Sequence, residues 1–316
     1  MHMGWNLTEY LVTGSSGLVG SAVLKKLIDS GVKVVGTTRN DADLRSEAET
    51  TALLNFYKPK VVIDCAAKVG GIKVNDSLPV DFFLENIEIQ NNLLKASHGV
   101  QVEKFVFLGS SCIYPKLAPQ PISESYLMSG PLEPTNSSYA MAKIAGIQLV
   151  NSYRKQFGHS WISVMPTNVY GPNDNFNLET SHVIPALINK FVDAAASGHP
   201  EVEVWGSGNA RREFIYSDDL ASGILFCLES YNQDGPINVG TGQDLTIREL
   251  AYLIAELTGF RGSIRFNEYF PDGTPRKLLD VSKINELGWE ATTSLQMGLK
   301  MTIEWYISIL KSREVS

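Results

Sequence analysis

Glu9-Tyr10-Leu11-Val12-Thr13-Gly14-Ser15-Ser16-Gly17-Leu18-Val19-Gly20 opens on a short β-like run, breaks at a glycine and continues into a helical pattern that reaches about Ser30. Strand, glycine turn and helix in that order are the setting a phosphate-binding loop requires. The spacing Gly14-x-x-Gly17-x-x-Gly20 gives one glycine to the tight turn, one to close approach of a pyrophosphate and one to packing of the helix on the strand, with Ser16, Leu18 and Val19 between them. The start of the helix then offers unpaired N–H groups and the positive end of its dipole to phosphate. At the first strand of a chain, this reads as the opening of a dinucleotide fold.

The chain that follows keeps the alternation. A strand from Lys33 to Thr38 ends at Arg39, about 20 residues past the loop, where NAD-binding chains carry an acid and where Arg suits the extra 2′-phosphate of NADP. Arg39 points to NADP, while Asp41 nearby keeps NAD open. Asp43 and Leu44 follow, a polar side chain and a backbone amide for the edge of an adenine. A helix over about Ser46 to Tyr57 leads to the apolar strand Val61 to Ala67, in which Ala66 and Ala67 are small enough for a cofactor to lie against the backbone, with Lys68 next. Helix Pro79 to Ser97, strand Lys104 to Leu108, helix Ser137 to Tyr153 and strand Trp161 to Met165 complete the series. Strands alternating with helices predict an α/β chain, a Rossmann-type doubly wound parallel sheet with its ligand crevice at the carboxyl ends of the strands. Pro166, Asn168 and Val169 fall on that rim.

Beyond Pro172 the alternation loosens. We expect residues 1–172 to form the dinucleotide domain and 173–316 to form mainly a smaller C-terminal α/β substrate domain, with the chain crossing back around 215–245. Arg211 and Arg212 are read in a loop after a short strand at Glu203 to Gly206.

Tyr139 and Lys143 lie four apart in the helix from Ser137, so both side chains share one face. A phenol is a poor acid at neutral pH, and a nearby ammonium is expected to pull its pKa down. Ser110, at the end of the strand Lys104 to Leu108, sits on the same rim as the glycine loop; alone it reads as a cap or turn residue.

Length and composition set limits. A chain of 316 residues, 44% hydrophobic and 19% charged, buries a large core and has room for two domains. No apolar run approaches the roughly 20 residues of a membrane span, and Met1 to Asn6 lacks the zones of a secretory signal. The expected protein is soluble and cytoplasmic, with no membrane partner. A formal charge of −7 argues against non-specific nucleic-acid binding. Cys65, Cys112 and Cys227 form no metal-type spacing and read as reduced thiols, and no metal is expected.

The glycine loop, Ser110 four residues before Tyr114, and Tyr139-x-x-x-Lys143 together resemble the extended short-chain dehydrogenase/reductases. Six further segments in order along both domains, Gly109-Ser-Ser-Cys-Ile-Tyr-Pro-Lys116, Glu133-Pro-Thr-Asn136, Gly171-Pro-Asn-Asp-Asn-Phe176, Ser181-His-Val-Ile-Pro185, Val204-Trp-Gly-Ser-Gly208 and Asp272-Gly-Thr-Pro-Arg-Lys277, resemble the members that act on GDP-linked 4-keto-6-deoxy sugars. The resemblance implies epimerisation at C3 and C5 followed by reduction at C4 with NADPH, and a homodimer built on the helices near Pro79 to Ser97 and Ser137 to Tyr153. It implies Cys112 and His182 as the acid/base pair for the epimerisations. Tyr139 then protonates the C4 oxygen, Ser110 hydrogen-bonds it, and Lys143 holds the nicotinamide ribose. Lys190, Trp205, Arg212, Asp272 and Lys277 are implied as the substrate site. Ser15 and Lys190 stand where some members carry a basic residue and Arg, respectively. Sister enzymes of colitose or 6-deoxy-heptose pathways, and a non-catalytic nucleotide sensor of the same fold, are the competing readings.

Overall fold

In the computed structural model, residues 9–314 apart from Pro271 are described; the reading of Met1 to Asn6 lies outside them. Strand β1 (Tyr10–Thr13), helix α1 (Leu18–Asp29), β2 (Val34–Thr37), α2 (Glu47–Tyr57) and β3 (Val61–Asp64) lead into α3 (Ile72–Ser77), α4 (Pro79–Gly99), β4 (Lys104–Leu108), α5 (Ser137–Phe157) and β5 (Ile162–Pro166). There follow β6 (Asn168–Tyr170), α6 (Val183–Ser197), β7 (Glu201–Trp205), β8 (Arg211–Tyr216), α7 (Ser217–Ser230), β9 (Pro236–Val239), β10 (Asp244–Thr246), α8 (Ile247–Thr258), β11 (Ser263–Asn267), β12 (Arg276–Lys277), α9 (Ser282–Glu286) and α10 (Leu295–Glu314).

Six strands pair in the order β2-β1-β3-β4-β5-β9, all parallel. Every residue of β3 and β5 is buried, as expected where helices cover both faces of a parallel sheet and strands become near-continuous apolar runs. Helix α1 packs with α7, and α4 packs with both α2 and α5. The chain steps from β1 outward to β2 and back past β1 to β3, so the crevice of the doubly wound sheet opens between the ends of β1 and β3. The glycine loop follows β1, and Ala66 and Ala67 follow β3, on either side of that opening.

A second apolar cluster, with Ile188, Phe191, Leu250, Ile254 and Leu299 at its centre, lies apart from the one under the main sheet. Around it β7 pairs with β11, and β8 is flanked by β10 and β12 and also pairs with β6.

The structure corrects several boundaries. Arg211 and Arg212 lie in strand β8, not in a loop: pairing with β10, β12 and β6, and burial of Phe214 and Ile215, override the polar start of the segment. Helix α5 runs on to Phe157, where Gly158 takes the left-handed conformation (φ 74°) that ends it. Helix α3 was not expected at all. Among the described residues no helix is long and apolar enough to cross a membrane.

Candidate active site

At the glycine loop the three glycines separate cleanly. Gly14 has φ +61°, and a Cβ there would meet the Cys65 carbonyl oxygen at 2.7 Å; a Cβ on Gly20 would collide with the Gly14 carbonyl. These are the turn and helix-packing positions. Gly17 has only ordinary contact in front of it. It caps α1 with no side-chain hydrogen bond, so the first N–H groups of the helix are left for a ligand or solvent, with exposed Ser16 beside them. Leu18 and Val19 form the first turn. Arg39 stands exposed just past β2. Asp41 is turned onto Thr38, accepting from its N–H at 2.8 Å and its hydroxyl at 2.9 Å. The Asp43 carboxylate is gripped by Arg45 (2.7 and 2.9 Å), which holds its pKa down at about 2. Its neighbour Leu44 gives its carbonyl to Asn92 at 3.0 Å. Lys68 pairs with Glu85 and with Asp81 (3.3 Å).

The helical spacing carries Tyr139 and Lys143 to different partners. Lys143 is buried and donates to the Leu108 carbonyl at 2.9 Å, at the end of β4. Burial pushes its pKa down and the buried carboxylate of Asp64 pushes back. Tyr139 shows the opposite of the sequence expectation. Its pKa is raised, by burial first and then by Cys112, with only the Ser110 hydroxyl acting downward. The Lys143 ammonium is directed to the sheet end instead, and the phenol stays protonated as a hydrogen-bond donor.

Ser110 caps the short 3-10 turn Ser111–Ile113, its hydroxyl accepting the Cys112 N–H at 3.2 Å. That turn presents the Cys112 thiol to Lys277, whose ammonium lies 3.3 Å from the sulfur. Burial alone would raise the thiol pKa, but Lys277, helped by Ser110 and Arg212, outweighs it and the net shift is downward. His182 stands at the N-cap of α6 and keeps exposed surface. Burial and the charge of Lys277 push its imidazole pKa down.

On the other wall, Lys277 and Arg212 are partners in register on β12 and β8. They are side by side by strand pairing rather than by the meeting of two loops. Arg212 donates to the Arg211 and Asp272 carbonyls at 2.8 and 3.0 Å. The Asp272 carboxylate accepts the N–H and hydroxyl of Ser207 (2.8 and 2.7 Å), closing the turn after β7. Trp205 is 41% exposed and stacks on Phe270, centroids 4.3 Å apart. Lys190 donates to the Glu203 carbonyl at 2.9 Å and lies 5.2 Å from the centre of the Trp205 ring.

Residues 10–240 match the family model described as Epimerase: NAD dependent epimerase/dehydratase family. The chain belongs to the NAD dependent epimerase/dehydratase family. It is 50% identical over 301 residues to the Probable GDP-L-fucose synthase 1 of Oryza sativa subsp. japonica, covering 95% of this chain and 92% of that one. The structure of a GDP-L-fucose synthetase from Naegleria fowleri bound to NADP is similar, with a TM-score of 0.88 and 31% identity over 96% of this chain and 95% of that one. A GDP-6-OMe-4-keto-L-xylo-heptose reductase from C. jejuni has a TM-score of 0.91 and 33% identity, covering 96% and 98%.

Three residues of this epimerase/dehydratase chain were missed in the sequence. Asp64 is buried at the end of β3, accepting from the Thr13 hydroxyl (2.9 Å) and the Ala66 N–H (3.1 Å). An acid closing the run Val61-Val-Ile was the signal. Glu213 is fully buried in β8 and binds the N–H groups of Thr241, Gly242 and Leu279 at 2.7, 2.9 and 2.8 Å, tying down the strand that carries Lys277. Asn136 lines a small cavity with Cys112 and Lys277, its side-chain oxygen buried without a hydrogen-bond partner among the described residues. Nothing in Glu133-Pro-Thr-Asn136 apart from the motif itself pointed to it.

Proposed function

We propose that this protein is an NADPH-dependent epimerase-reductase that converts GDP-4-keto-6-deoxy-D-mannose to GDP-L-fucose, inverting C3 and C5 and reducing C4. The observation that carries the reading is the meeting of two proton-handling sets in one cleft. Ser110 and Tyr139 are neighbours of Cys112, and the charge of Lys277 reaches both Cys112 and His182. Half identity along nearly the whole chain to a fucose synthase supports the sugar.

The cleft suits NADPH. The open Gly17 and uncapped start of α1 fit a pyrophosphate, Ala66 and Ala67 leave the wall at β3 shallow, and Arg39 is exposed where the 2′-phosphate would lie; Gly14, Gly20, Ser16, Leu18, Val19, Asp43, Leu44, Lys68, Pro166, Asn168, Val169 and His182 complete the assignment. Bound there, NADPH supplies hydride to the sugar C4. Arg39→Ala is expected to weaken NADPH binding roughly 10- to 150-fold in calorimetric titration, the range of a charge-assisted contact, with little change for NADH. Equal losses for both cofactors would contradict it.

The hydrogens at C3 and C5 are acidic because each flanks the C4 ketone. Inversion needs one group to take the proton from one face and another to return one on the other. Cys112 and His182 are assigned to these tasks. The charge that develops on the C4 oxygen, in the enolate as in reduction, meets the Ser110 and Tyr139 hydroxyls. Lys143 orients this end of the site from its anchor on Leu108. Arg212, Lys190, Asp272, Trp205 and Lys277 are assigned to the GDP-sugar. The relatives that act on heptoses keep a second substrate in view, and kcat/KM across a panel of GDP-4-keto sugars decides. The 6-deoxy-mannose derivative is expected to lead; preference for a heptose would overturn the assignment.

We further propose a homodimer through α4 and α5, which leave the apolar side chains of Val80, Leu84 and Met141 exposed. Sedimentation at the mass of one chain would contradict it. The free Cys65, Cys112 and Cys227 suit a reducing compartment, and we place the enzyme in the cytoplasm.

A further inference from the structure

We infer that Lys277 is the positioning residue that holds Cys112 as a thiolate before substrate arrives, and not only a contact for the GDP-sugar. This rests on the epimerase reading of the site. The ammonium lies 3.3 Å from Sγ, and its place there is built into the fold. Pairing of β12 on β8 sets Lys277 beside Arg212, and the buried carboxylate of Glu213 takes the N–H of Leu279 two residues on. On the sulfur's side, the cap from Ser110 onto the Cys112 N–H fixes the turn that carries it.

The groups around the sulfur leave Lys277 as its close cation. Arg212 acts on it more weakly and spends two of its N–H groups on the Arg211 and Asp272 carbonyls. Glu133, across the small cavity, is 3.6 Å from Lys116 and accepts the Thr135 N–H at 2.9 Å. Tyr139 remains a neutral phenol, as its raised pKa requires. Ionisation sends the thiol proton to solvent, Lys277 keeps its own, and the sulfur carries the electron pair that accepts a carbon-bound proton. Such a pair works only if it forms ahead of the substrate, since the reacting carbon gives up its proton to the thiolate and not to the thiol.

The other two cysteines make the test clean. Burial pushes Cys65 well up and Cys227 to about 12, so both stay protonated where Cys112 ionises. The experiment is alkylation of the full-length protein by iodoacetamide as a function of pH, with the modified cysteine identified by mass spectrometry, in the parent, Lys277→Met and Lys277→Arg. In the parent, Cys112 is expected to alkylate with a midpoint below the ordinary thiol value of about 8.5. Lys277→Met should raise that midpoint by about one pH unit or more, and Lys277→Arg should restore most of the difference. Circular dichroism and an NADPH titration report folding of each variant, and Lys277→Gln replaces Lys277→Met if the latter is unfolded. An unchanged midpoint in a folded Lys277 variant overturns the inference. Because alkylation needs no sugar, a failure of the proposed reaction shows itself separately, as absence of solvent exchange at C3 and C5 in the parent.

Discussion

Tyr139→Phe is expected to slow reduction of the 4-keto sugar by about 10²- to 10⁴-fold, the usual contribution of a positioned general acid, while exchange of the C3 and C5 hydrogens with solvent stays within roughly tenfold of the parent. The split follows from where the phenol sits. Tyr139 neighbours Ser110 and Cys112 and is kept protonated by its surroundings, so its proton is available to the alkoxide that forms at C4. Removing the hydroxyl takes away that proton donor. On the proposed assignment, enolate charge at the same oxygen is still met by Ser110, and proton removal from carbon is the task of Cys112 and His182. The measurement is NADPH consumption together with deuterium incorporation in D₂O for the same variant. Loss of both in equal measure would mean that one set of groups serves both chemistries.

The complementary pair is expected to fail the other way. Cys112→Ser replaces a thiol whose pKa is pulled down by Lys277 with a hydroxyl that no neighbouring cation can ionise at neutral pH, and His182→Asn removes the only imidazole in the cleft among the described residues. Each should cut deuterium uptake at C3 and C5 by about 10²- to 10⁴-fold. The pH dependence carries a sign. A lowered thiol pKa means the basic form is present down to a lower pH than an ordinary cysteine allows and is lost as pH falls through that value. Exchange in the parent should therefore persist to a lower pH than it does once the Lys277 charge is removed. Full exchange in both variants would remove the pair from the mechanism.

Most of the fold was legible because its signals are local. The run Tyr10 to Thr13 with its glycines, the mostly apolar, fully buried β3 and β5, and the two long helices before β4 and β5 each carry their own period and punctuation. Strand β8 was hidden because its first residues, Arg211, Arg212 and Glu213, look like solvated loop; only neighbours distant in sequence turn them into a strand and bury the glutamate. The same non-local pairing brings Lys277 to Cys112, 165 residues away. Spacing along a helix put Tyr139 and Lys143 on one face correctly but said nothing of their partners. The Leu108 carbonyl, supplied by another element, decides where the ammonium goes.

The central claim is that one cleft performs both epimerisations and the reduction on a GDP-4-keto-6-deoxy sugar. It is tested most directly by running the parent enzyme on GDP-4-keto-6-deoxy-D-mannose with NADPH in D₂O and reading the product by NMR. The predicted product is GDP-L-fucose with deuterium at both C3 and C5 and protium at C4. A product reduced at C4 but undeuterated at C3 and C5, or no product at all, would contradict it.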